Sequence, residues 1–133
     1  MGKLTLASVA ALQERLADDA ACDAVLAGFA EPAALRMPLR ALLAAQARLL
    51  QAEHEVGQVA DVLRRDQKYA PVGRPSVHIV QIRKQQAAAR QAALNARQVL
   101  ARDAQVFVRQ AGLPVRAKQT PSEAAAAWLS KLP

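Results

Sequence analysis

Few side chains in this sequence offer reactive chemistry, and their spacing limits what each can do. His54 and His78 are its two histidines, with Glu53, Glu55 and Asp61 near the first. A metal centre needs three or four donors converging on one point. These intervals bring no third donor to the pair, so both histidines are expected on the surface and no metal ligand is assigned. Asp18, Asp19 and Asp23 form an acidic cluster. Two carboxylates held together bind a cation or share a proton. Here they open a short helix, where carboxylates accept from free amides and oppose the helix dipole, so capping is the expected role.

Cys22 is the single cysteine. Paired with a distant histidine it would be a candidate nucleophile. It lies in an Ala/Asp helical stretch with nothing beside it to activate a thiolate, so a small buried apolar group is expected instead. One cysteine also excludes an intrachain disulfide. Gly73, set among prolines, lacks the run of glycines that cradles a phosphate. The sequence therefore reads as non-enzymatic, with no catalytic residue, cofactor or small-molecule substrate.

The remaining chemistry is charge. The net charge is +7, carried by the second half. Residues 1–66 hold seven Lys/Arg and nine Asp/Glu, whereas residues 67–133 hold eleven and two. From Ile82 the chain falls into sevens, IRKQQAA, ARQAALN, ARQVLAR and DAQVFVR. Seven residues are nearly two helical turns, so Arg83, Arg90 and Arg97 make one longitudinal stripe, with Lys84 and Gln91, Gln98 and Gln105 beside it. Such a stripe can meet phosphates, stay solvated, or pair with acids on the preceding helix such as Glu53, Glu55 and Asp61. Arg102 and Arg109 lie on another side of the same helix, and Arg116 and Lys118 follow in a basic linker. Residues 83–118 are thus the region through which nucleic acid or an acidic partner would be met. The lack of aromatics on the stripe argues against single-strand stacking. No helix-turn-helix is evident, so sequence-specific base reading is not expected.

These residues must be positioned by helices. Roughly a quarter of the chain is alanine, the best helix former. The aromatics are Phe29, Phe107, Tyr69 and Trp128 alone. Alanine buries little area, so a thin core is expected, in an elongated molecule that gains stability from a partner. The spacing of Leu6, Val9, Leu12 and Leu16 predicts a helix from Thr5 or Ser8 to about Asp18. A second short helix opens at Asp18–Asp19 and ends at Gly28, and Glu31-Pro32 restarts the chain.

Pro38 is read as a break or kink near which a long helix begins, running to about Asp66. Leu42, Ala45, Leu49, Ala52, Val56, Val59 and Leu63 follow alternating steps of three and four, a coiled-coil seam over about three heptads. Gln67 to Pro75 is the clearest break, and two prolines and a glycine argue against helix over Tyr69–Pro75. Ser76 then caps a helix to about 111. The opening residues 77–82 are β-branched enough to suit a strand, but the helical pattern runs on without a break. Ile82, Ala89, Ala93, Ala96, Leu100 and Phe107 share one face, interrupted by Gln86 and Asp103. The helix ends at Gly112-Leu113-Pro114. Thr120-Pro121-Ser122-Glu123 is a capping box before a last short helix, whose Trp128, Leu129 and Leu132 either dock a partner or fold back on the hairpin.

The expected architecture is all-α and forms a single helical domain, residues 1–133. Two short N-terminal helices (1–36) precede a long antiparallel hairpin (38–111), with helices over about 38–66 and 76–111. A basic linker and a C-terminal docking helix follow (112–133). Leu42, Leu49, Val56, Val59, Leu63, Ile82, Leu100, Phe107, Trp128 and Leu129 are the candidate partner-packing residues. No apolar run reaches the length of a membrane span, and the N-terminus lacks a signal-peptide core. The chain is expected in the cytoplasm or in a particle assembled there, as a structural or adaptor subunit with protein partners or self-association. The alternative is a sequence-nonspecific nucleic-acid-binding protein.

Overall fold

The computed structural model describes residues 3–69 and 77–133, and among them every regular element is a helix. The first, α1, spans Leu6–Arg15. Thr5 and Ser8 close it with a reciprocal capping box: Thr5 Oγ1 accepts from the Ser8 amide at 3.1 Å, and Ser8 Oγ accepts from the Thr5 amide at 2.8 Å. Helix α2 covers Asp19–Val25, and Asp18 caps it by accepting from the Ala21 amide at 3.2 Å. Both helices stop a turn earlier than their periodicity suggests. Gly28 is not the terminator, since Gly112 is the one glycine with positive φ among the described residues.

Helix α3 spans Pro32–Lys68 and α4 spans Val77–Ala111. At 1.5 Å per residue these are rods on the order of 50 Å long. They pack against each other antiparallel. Asp66 meets His78 near one end, while Glu53 and Val56 share a hollow with Ala93 and Arg97 further along. The β-branched residues 77–82 join the helix from its first residue, so the strand alternative is not taken. The proline-rich connection and its Ser76 cap fall on residues 70–76, outside the described residues.

One boundary differs from expectation. The long helix begins at Pro32, and Pro38 lies inside it. An interior proline removes a backbone hydrogen bond and crowds the carbonyl four residues back, at a cost of about 3 kcal/mol. Leu35, Leu39 and Leu42, spaced to face one side, are 2 %, 0 % and 0 % exposed. Only Leu35 of the three precedes Pro38, and its burial returns about 1.5–3 kcal/mol, comparable with the cost of the proline.

The core lies at the end of the hairpin remote from the α3–α4 connection. There α1 and α2 pack on α3 while α5, Pro121–Ser130, packs on α4. Thr120 caps α5 by accepting from the Glu123 amide at 3.2 Å. Phe29, Phe107 and Trp128 form a trio of rings, with centroids 6.4, 5.7 and 5.2 Å apart. At the C-terminus of α4, Gly112 takes φ 68° and the Leu113 amide donates to the Val108 carbonyl at 3.1 Å, which turns the chain back toward α5. Arg15 of α1 donates to the carbonyl of Pro133, tying the last residue to the first helix.

Candidate functional site

The reactive residues do not converge. His78 Nε2 lies 2.7 Å from Asp66 Oδ2 near the connection end of the hairpin. His54 is exposed on α3 twelve residues before Asp66, about 18 Å along the helix. Among the described residues no three His, Cys, Asp or Glu side chains lie close enough to hold a metal ion. Cys22 is free and fully buried, and its burial pushes the thiol pKa upward, away from the reactive thiolate.

The acidic cluster does more than cap. Arg36 of α3 donates through Nε to Asp23 Oδ1 at 2.7 Å, and its Nη2 donates to the other oxygen. Arg40, one turn on, donates to Asp19 Oδ1 at 2.6 Å and to the carbonyls of Leu16 and Ala17 at 3.1 and 3.2 Å. The bond from Arg40 and the charges of Arg36 and Arg40 hold the Asp19 carboxyl below its usual range. The bond from Arg36 does the same for Asp23. Two arginines four residues apart, facing two acids four residues apart, were the signal in the sequence, and capping alone does not account for them.

The candidate partner-packing residues divide. Leu42, Leu49, Ile82, Leu100, Phe107 and Leu129 are buried within the chain. A heptad stripe is covered by whichever helix reaches it first, and a tethered α4 is always nearest. Those six therefore serve the hairpin itself, and the C-terminal helix docks on α4 through Leu129 and the half-buried Trp128. Val56, Val59 and Leu63 remain partly exposed on the half of α3 nearer the connection.

The basic residues stay outside. Arg83, Lys84, Arg90 and Arg97 are exposed on α4, as are Arg109 on its last turn and Arg116 and Lys118 beyond it. None of these seven forms an ion pair among the described residues; Arg102 lies 3.6 Å from its neighbour Asp103. The acids of α3 that stood as possible partners are engaged elsewhere or stand apart. Asp61 pairs with Arg64, Glu55 accepts from Gln51 at 3.2 Å, and Glu53 lines a hollow with Arg90 and Arg97 without bonding to either. Between Val77 and Arg102 the helix carries no acid at all.

Fold and surface together define an all-α helical hairpin with a cationic outer face. No protein-family model matches the chain, and no curated protein or solved structure compared with it matches either. No helix among the described residues is long and apolar enough to cross a membrane.

Proposed function

We propose that this chain is a non-enzymatic structural or adaptor subunit whose hairpin arm packs into a larger assembly, of a virion or secretion type. One observation carries the reading: the hairpin extends past its own core. The continuous core reaches Ala52 on α3 and begins again at Ala93 on α4. Beyond those points the two helices run on for sixteen residues each, about 24 Å. Along this arm only Ile79 and Ile82 are fully buried, against half-covered Val56, Val59 and Leu63. A two-helix arm with so few large buried groups gains little from its own packing, and a partner helix laid along it would supply the missing cover.

Hydrogen exchange on the full chain, read beside light scattering over a concentration series, tests this. The arm amides, 53–68 and 77–92, should exchange much faster than those of 39–52 and 93–108 in the dilute monomer, and become protected as the protein associates or meets its partner. A monomer at every concentration, with arm and base equally protected, would show a self-sufficient domain and end the proposal.

A further inference from the structure

The unpaired cations of α4 invite a ligand of their own, whether or not the arm serves an assembly. We propose that the row Arg83, Arg90 and Arg97 binds the phosphate backbone of double-stranded nucleic acid without reading its sequence. The three guanidinium groups are exposed and share one face of a helix that is free of acids around them. No carboxylate within the described residues neutralises them, although Glu53 stands in the hollow beside two of them. Their charge is therefore available to an outside anion.

Spacing favours a duplex. Successive members of the row are seven residues, about 10.5 Å, apart. A major groove is about 12 Å wide, so neighbouring arginines on a helix laid across it reach phosphates on both walls. Guanidinium groups fit phosphate oxygens through paired N–H donors. Gln91 and Gln98, exposed beside the row, add neutral donors for sugar and phosphate oxygens.

Other anionic partners fit less well. Single strands bind through stacking, and no aromatic side chain lies between Val77 and Val106 of α4. A membrane-surface helix sets large apolar groups opposite its cations. The large apolar side chains exposed on this stretch are Val77, Val80, Leu94 and Val106, interspersed with alanines and glutamines. An acidic protein would offer scattered carboxylates, yet those already present on α3 are not taken up by the row.

The test is anisotropy of a labelled random-sequence DNA duplex with the full chain, between about 50 and 200 mM salt. Three phosphate contacts predict that log K falls against log salt with a slope of about −2.7 or steeper, at about 0.9 per contact. Replacing the row by R83Q/R90Q/R97Q should flatten that slope by two to three units on any sequence and leave helicity by circular dichroism unchanged. The matched set R102Q/R109Q/R116Q, on other faces, should flatten it by less than one. The proposal fails if the wild type does not bind at the lowest salt, or if both triple variants lose the same amount. Tighter binding to polyglutamate or to phosphatidylserine vesicles than to duplex would also overturn it, in favour of an acidic protein or a membrane surface.

Discussion

Arg36, one turn into α3, grips the carboxylate of Asp23 on α2 with two of its nitrogens, Nε lying 2.7 Å from Oδ1. Arg40, one turn further along, donates to Asp19 through Nη2 alone and also takes up the last carbonyls of the α1 end, Leu16 and Ala17. These two arginines tie the N-terminal helices to the hairpin at this corner. They also explain why α3 begins before Pro38: the turn containing Arg36 must be helical for both arginines to face the same corner.

This corner should weaken in acid. Asp19 and Asp23 are held below their ordinary value of 3.8 by the arginines, so their folded-state pKa lies under the unfolded one. Their contribution to stability is present above about pH 4 and is lost as pH falls through the folded value. Thermal melts followed by circular dichroism should show Tm falling between pH 4 and pH 2. A D19N/D23N double variant should start from a lower Tm at pH 7 and lose less on acidification. Parallel curves for the two proteins would show that the grip adds nothing to folding.

Much of this architecture is legible in the residue pattern, for identifiable reasons. The seam Leu42, Ala45, Leu49 and Ala52 is buried, as its three-and-four spacing requires. Thr5 and Thr120 cap the helices they precede, because capping depends on a local interval of three residues. The start of α3 was not legible at Pro38 because the local rule against interior proline is offset by contacts of the turn before it, Leu35 in the core and Arg36 on Asp23, that lie outside the local sequence. The Arg36–Asp23 pair spans 13 residues and Arg40–Asp19 spans 21, so neither lies within the reach of a helical period. Which apolar stripes meet a partner and which meet the chain itself is likewise a property of the whole fold. The arginine row was placed by its period, but its freedom from acids became visible only with α3 beside it.

Phe107 is fully buried and touches both other rings of the trio. Phe107→Ala should cost about 3–5 kcal/mol, the usual range for deleting a core aromatic. Trp128 is the sole tryptophan, so its emission reports the cavity directly. A red shift under native conditions, with the denaturant midpoint lowered, is the expected outcome. An unshifted emission would mean that Trp128 does not rest on Phe107.

Pro38 makes an opposite test. Because it interrupts a helix whose neighbours Leu35 and Leu39 are already buried, Pro38→Ala restores an amide donor without disturbing the apolar face. Urea unfolding should show a gain of up to about 3 kcal/mol. A loss would mean that the chain needs the break, and that residues 32–37 are not held helical in solution.

Two glycines should respond with opposite signs. Gly57 sits mid-helix on α3 with nothing within 4 Å of the position a Cβ would take. Gly57→Ala should therefore stabilise by about 1 kcal/mol, through helix propensity alone. Gly112 has equal space around it but φ at 68°, where an L side chain is strained by about 1–2 kcal/mol. Gly112→Ala should destabilise by that amount and loosen the turn that returns α5 to α4. Chemical denaturation of both variants beside the parent measures the contrast. Because neither site has a neighbour to clash with, the sign of each change reports backbone conformation alone. If Gly112→Ala were neutral, the left-handed turn after α4, and with it the placement of Trp128 against Phe107, would have to be redrawn.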